Sequence, residues 1–223
     1  MSDSTMTKID LFFEDPAVYH APPRSYSVLY LLRRDISVCL GIDPDSDNPI
    51  AFQALWPGTM AILAGIDLLG KFLVGNDNFR KSRKRFKNFI ESKYFQVVSQ
   101  TDAEIIYQLR NSLLHSFGLY SEDGKGNVYR FTLIPKQGPL VQRLGDNYLV
   151  DVRTLHSQFE TAIENYRADL KKDLSLQECF NAMFPKYGVV YIHTILNFSS
   201  TLDLTVGSDI VEGFPYEYAS GCD

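Results

Sequence analysis

The residues with the clearest chemical capacity lie in one short stretch, Gln108-Leu-Arg-Asn-Ser-Leu-Leu-His-Ser-Phe-Gly118, which brings Arg110, Asn111 and His115 together. An imidazole exchanges protons near neutral pH, because the unperturbed pKa of histidine is about 6.5. A guanidinium stays charged, and its planar fork matches phosphate oxygens and stabilises negative charge developing on them. Asn111 and His115 are four apart and share one face if the segment is helical. Arg110 stands about 140° from His115 around a straight helix of 3.6 residues per turn. Its side chain therefore has to curl back if both are to meet one phosphate. The plainer alternative is structural: Arg110 pairs with a helix acid, and His115 interacts with the helix C-terminus.

A second feature is the run RKSRKRFK, which places Arg80, Lys81, Arg83, Lys84, Arg85 and Lys87 close together in a chain of net charge −5. Such a patch draws in a nucleic-acid backbone with a strength that falls as salt rises, or it is simply the solvated face of a helix.

These residues need a scaffold, and the periodicity supplies a helical one. Apolar spacing predicts a helix over Tyr26–Leu40, ended by the polar loop 41–49, and a core helix from about Gly58 to Val74, ended by Gly75-Asn76. Trp56-Pro57-Gly58 reads as the packed start of that helix. A third helix from Phe79 to about Tyr94 buries Phe86, Phe89 and Ile90 and exposes the basic run. Thr101-Asp-Ala-Glu104 fits a capping box that opens the motif helix, with Gly118 suited to its left-handed end. Val128–Ile134 and Tyr148–Val152 read as a small hairpin with a long loop. Asp151 is a plausible cap for a further helix over Thr154–Lys171. Ser175-Leu-Gln-Glu178 opens a short helix through Phe184, closed by Pro185 and Gly188. The segment from Val189 to Phe198 reads as strand or helix, and the remainder to Asp223 as partly mobile.

The domain reading is an N-terminal arm (1–25), a helical domain (26–173, including the hairpin at 127–152) and a C-terminal extension (174–223). Composition fits a folded, water-soluble chain, with 45% hydrophobic and 22% charged residues. Cys39, Cys179 and Cys222 form no Cys-x-x-Cys pair, as in a reducing, cytoplasmic setting. The apolar stretch 61–74, interrupted by Gly65, Asp67, Gly70 and Lys71, is too short to span a membrane, and no export signal is visible. His20, His156 and His193 lack companions at metal-ligand spacing, so neither metal nor cofactor is expected. There is no Walker-type loop, Gly-x-Ser-x-Gly or His-Glu-x-x-His.

Arginine, a polar residue, three more residues and then histidine, late in a helix of a mainly α-helical domain, resembles the signature of the HEPN family. The likeness covers about 26–171 in architecture and only a few residues in motif. It implies a bundle of about five helices acting as a metal-independent endoribonuclease, in which the ribose 2′-hydroxyl attacks the adjacent phosphate and leaves a 2′,3′-cyclic phosphate. His115 would exchange the proton, Arg110 would stabilise the transition state, and Asn111 would position the phosphate or the imidazole. The resemblance also implies a homodimer whose motif helices meet around one cleft. Its RNA substrate would be transfer or messenger RNA, in defence, stress response or a toxin system with an antitoxin partner. The same fold also serves catalytically silent modules that bind RNA, nucleotide or protein. A third reading, an ordinary helical interaction protein, would leave Arg110 and His115 apart, or at least one of them buried.

Overall fold

The structure is a computed structural model that describes residues 3–14, 25–41, 54–95 and 98–191. Seven α-helices occur among these residues: α1 (Asp3–Phe12), α2 (Val28–Leu40), α3 (Leu55–Val74), α4 (Ser82–Ile90), α5 (Gln100–Ser116), α6 (Val152–Leu170) and α7 (Leu174–Tyr187). Mostly helical architecture is therefore what the periodicity led to. The loop from 42 to 49 and everything beyond Tyr191 lie outside the described residues.

The helix starts show where side chains compete to cap. Ser27 Oγ accepts from Tyr30 N at 3.2 Å and sets the start of α2 two residues later than the apolar pattern indicates. Ser99, not Thr101, opens α5: its Oγ accepts from Asp102 N at 3.0 Å and donates to the Asp102 carboxylate at 2.8 Å. Asp173 likewise displaces Ser175 at the start of α7 by accepting from Ser175 N and Leu176 N. In both cases a good cap two residues upstream wins, because each added residue inside the helix gains one more backbone bond. Asp151 caps α6 as expected, accepting from Arg153 N and Thr154 N. Pro185 does not stop α7 but sits in its last turn, with Gly188 as the cap. The basic helix also differs: a 3-10 turn at Phe79–Lys81 precedes α4, which ends at Ile90 rather than Tyr94.

α3 runs for 20 residues, longer than the stretch the sequence marks as apolar, and it is long and apolar enough to cross a membrane. Here it is a core helix, with Ile62, Leu63, Ile66, Leu69 and Phe72 fully buried against its neighbours. Two close approaches tie them to it. A Cβ at Gly65 would lie 2.4 Å from the Phe159 ring of α6, and one at Gly70 would lie 2.9 Å from the Arg85 carbonyl oxygen of α4. Glycine at these two places lets both helices come in to contact.

The sheet corrects the sequence reading most. β2 (Tyr120–Glu122), β3 (Val128–Ile134), β4 (Val141–Leu144) and β5 (Asn147–Asp151) form one sheet in the order β2-β3-β5-β4. Strands β3 and β5 are neighbours, but they run parallel, with Arg130 opposite Asn147 and Ile134 opposite Asp151. The single hairpin is replaced by two, β2–β3 and β4–β5, because the segment from Pro135 to Leu140 carries the chain past the place that β5 fills. That crossing is pinned by Gly138 N donating to Asp151 Oδ2 at 2.9 Å and by Thr154 Oγ1 donating to the Gly138 carbonyl at 2.7 Å. Separately, β1 (Ser25–Ser27) pairs antiparallel with β6 (Val189–Tyr191), the part of the Val189–Phe198 segment that is described.

One core runs through the seven helices and strands β3 and β5, and it reaches both segments that the sequence reading sets aside. α1 contributes Ile9 and Phe12, and the fully buried Phe13 follows it; α7 contributes Phe180. Around Phe12, the rings of Phe13, Phe72 and Phe180 lie at centroid distances of 5.0, 4.5 and 5.5 Å. Tyr166 of α6 is fully buried among Phe13, Phe89 and Tyr94, and its hydroxyl has no hydrogen-bond partner. A buried, unpaired hydroxyl costs on the order of 1–3 kcal/mol. Tyr166→Phe is therefore expected to raise stability by about 1 kcal/mol, read as a higher denaturant midpoint with unchanged slope.

α2 and α6 are joined by Arg33, whose Nη2 lies 2.6 Å from Glu160 Oε2. His156, one turn before Glu160, is held below its ordinary pKa by burial and, to a lesser degree, by Arg33 and Arg153, against the pull of Glu160. The unfolded chain then binds a proton that the fold refuses, so stability rises with pH across this titration. The contribution of His156 should be complete above about pH 6.5 and be lost as pH falls through the folded value. Denaturation midpoints at pH 7.5 and 5.5 should differ less in His156→Gln than in the native chain; an equal difference would remove His156 from the account.

Candidate functional site

The carboxylate of Asp67 sits midway along α3, the most apolar of the described helices, and has to find a cation. Arg110 of α5 supplies it: Nε donates to Asp67 Oδ2 at 3.0 Å, and Nη2 donates to the same oxygen. The pair is mostly withdrawn from solvent, with side-chain exposures of 12% for Arg110 and 15% for Asp67. Held in this way, the guanidinium turns its third nitrogen along its own helix. Nη1 lies 2.6 Å from His115 Nε2 and 3.3 Å from Asn111 Oδ1. The 140° between Arg110 and His115 is thus closed by the side chain folding back over the helix surface.

Because a guanidinium carries donors only, Nη1 donates and Nε2 accepts. The contact therefore requires the ring tautomer with its proton on Nδ1. His115 itself is exposed, at the solvent end of the cluster. The three residues picked out by type and spacing therefore meet around one charged group. The fourth member, Asp67, was missed as a partner although its signal was present: a lone acid in an apolar helix. Its Oδ1 is buried without a hydrogen-bond partner.

The end of α5 beside His115 is unusual. Phe117, not Gly118, takes the left-handed conformation, at φ 48 and ψ 41, a place that costs a non-glycine residue roughly 1–2 kcal/mol. Ser112 holds the turn: its Oγ donates to the Gly118 carbonyl at 2.5 Å, and its own carbonyl accepts from Gly118 N at 3.1 Å. Phe117 is 69% exposed, and its ring lies 6.2 Å from that of Trp56, which is 38% exposed in the first turn of α3. Trp56 and Phe117 at one level, with Asp67 and Arg110 at another, show α3 and α5 running antiparallel beside each other.

The basic run does not act as one surface. Arg85 points inward, 5% exposed, and Nη1 donates to the Asn78 carbonyl at 2.5 Å. This overturns the expectation that all six cations share a solvated face; Arg85 lies beside Phe86 on the packed side of α4. Arg83 and Lys87 turn to Glu104 of α5, at 2.8 and 3.4 Å, and Lys87 also meets Glu91 at 3.3 Å. Burial raises the Glu104 carboxyl, but hydrogen bonds from Gln108 and Arg83 hold it below its ordinary value. Arg80, Lys81 and Lys84 remain exposed. A cavity of about 690 Å³ lies toward the start of α5 and includes Arg83, Lys87, Glu104, Asp123, Tyr129 and Tyr148. It contains none of Arg110, Asn111 and His115.

Removing one member of a mostly buried ion pair leaves the other charge without compensation and costs about 3–5 kcal/mol, whereas trimming an exposed side chain changes little. Arg110→Ala should accordingly unfold at much lower denaturant than His115→Ala, and adding Asp67→Asn to Arg110→Ala should restore part of the loss. Equal midpoints for the two single variants would mean that the pair contributes nothing. Compared with family models, with curated proteins and with solved structures, the chain matches none.

Proposed function

We propose that the protein is a metal-independent endoribonuclease of the HEPN type, cleaving RNA at the cluster formed by Arg110, Asn111 and His115. The observation that carries this reading is the 2.6 Å contact between Arg110 Nη1 and His115 Nε2, with Asn111 alongside. In this reading Arg110 is the oxyanion stabiliser and the exposed His115 the proton acceptor, with the mostly buried Asp67 fixing the direction of the first. In the reaction, neutral His115 Nε2 takes the proton of a ribose 2′-hydroxyl as that oxygen attacks the adjacent phosphorus. The bond from phosphorus to the 5′-oxygen breaks, and the departing oxygen takes a proton. The products are a 2′,3′-cyclic phosphate and a 5′-hydroxyl. Arg110 Nη1 exchanges its contact with His115 for a non-bridging phosphate oxygen, where charge grows in the transition state. The proton for the leaving oxygen comes from an imidazolium of the second motif helix in the homodimer that the resemblance implies. Trp56 and Phe117 provide exposed aromatic surface at that end of α5. The remaining context, a cytoplasmic enzyme acting on transfer or messenger RNA in defence, stress response or a toxin system with an antitoxin, follows from the same resemblance.

The pairing of Arg110 with Asp67 favours a second reading, a silent RNA-, nucleotide- or protein-binding module, because two of the guanidinium nitrogens are already committed to the carboxylate. Cleavage of single-stranded RNA and transfer RNA by purified protein in excess EDTA separates the two. His115→Ala is the decisive variant, since its side chain is exposed and its loss leaves the ion pair in place. Cyclic-phosphate ends produced by the native chain, and reduced by at least about a hundredfold in His115→Ala, support the enzyme. Intact RNA with the native chain, or equal cleavage by both, transfers the proposal to the binding module.

A further inference from the structure

The C-terminal end of α3 and the start of α4 enclose a cavity of about 270 Å³, lined by Val74, Asn76, Lys81, Lys84, Arg85 and Asn88. The lining holds three cations and no carboxylate. Among the described residues, Arg85 makes a single hydrogen bond, to the Asn78 carbonyl, and no ion pair, and its buried Nε has no partner. A guanidinium 5% exposed and without a counter-charge is costly, and the neighbouring ammonium groups of Lys81 and Lys84 add to that cost. The two acids that act on the neighbouring Lys71 are engaged elsewhere: Asp77 meets Lys186 at 3.2 Å and the Tyr187 hydroxyl at 3.0 Å, and Asp67 holds Arg110. Arg85 is kept in place by packing, since α4 presses against Gly70.

A further cation, Lys71, lies along α3. Asp67, Lys71 and Val74 lie on one face, and the seven steps from Asp67 to Val74 rise about 10 Å. The Lys71 ammonium sits 4.0 Å above the Tyr187 ring. Burial lowers its pKa, while the attraction of Asp67 and Asp77 offsets the repulsion of Arg85 and Arg110.

We propose that this cavity is a binding site for a tetrahedral oxyanion, the phosphate of a polynucleotide or of a phosphomonoester, held by Arg85, Lys81 and Lys84. A phosphate here would answer the uncompensated guanidinium with charge-assisted hydrogen bonds from a fork and two flexible ammonium groups. The site does not depend on the cleavage reading, because it shares no residue with the cluster at Arg110.

The test follows the Arg85 Nε–H resonance in a proton–nitrogen spectrum, assigned by its loss in Arg85→Lys, while inorganic phosphate is added at constant ionic strength. A saturable shift with phosphate and not with chloride is expected. It should require at least about tenfold more phosphate in the Lys81→Gln/Lys84→Gln double variant, which alters two exposed side chains and leaves the fold intact. An unmoved resonance, an equal response to chloride, or identical titrations of native and double variant overturns the proposal. The source of the phosphate is read with one single-stranded deoxyoligonucleotide carrying either a 5′-phosphate or a 5′-hydroxyl. Equal competition by both assigns a backbone phosphate, competition by the phosphorylated form alone assigns a terminal one, and competition by neither leaves a free small phosphate as the ligand. Lacking a 2′-hydroxyl, this probe binds without being cleaved, so the result stands apart from that of the cleavage assay.

Discussion

A carboxylate in the middle of an apolar helix has to be answered by a cation, and the arrangement around the candidate site follows from how that is done here. Asp67 draws the Arg110 guanidinium against α3 through two of its nitrogens. That contact fixes the rotation of α5 about its own axis, because an arginine on any other face of α5 would not reach. Once the rotation is set, Asn111 and His115 fall on the same flank, and the remaining nitrogen has only that direction in which to point. Ion pairs of this kind often contribute little net stability, since desolvation offsets attraction, but they discriminate strongly between packings in which the charges meet and packings in which they do not. The pair is best seen as a register device between two helices.

Much of this was legible in the sequence. Arg110, Asn111 and His115 were found from residue type and spacing, and the Asp151 cap and the apolar faces of α3 and α6 from local pattern. What escaped was decided over distance or by near-equal local competition. Asp67 is 43 positions from Arg110, and nothing in a linear pattern says which acid an arginine will choose. The caps at Ser99 and Asp173 won over residues two positions later that satisfy the same rule. Arg85 looks like its five basic neighbours until α4 is docked, whereupon it falls beside Phe86 on the packed side.

The sheet failed for a different reason. Alternation and β-branched residues mark strands, but they do not mark their direction, and β3 and β5 have the composition of a hairpin while lying parallel. The deciding elements were the segment 135–140 and the short strand β4, whose four residues, mostly exposed, carry little apolar signal. The resulting mixed sheet seats the start of α6 through Asp151, which serves at once as strand end, helix cap and clasp for Gly138.

The pairing of Ser25–Ser27 with Val189–Tyr191 joins segments separated by on the order of 160 residues, and the entropy of closing so long a loop has to be met before those few strand bonds form. The same junction holds Ser27, whose hydroxyl donates to the Phe12 carbonyl at 2.7 Å while capping α2. During synthesis the β6 segment leaves the ribosome after every other described element. Until it arrives, the entry to α2 lacks its strand partner, so among the described elements this junction is the last that can close as the chain emerges.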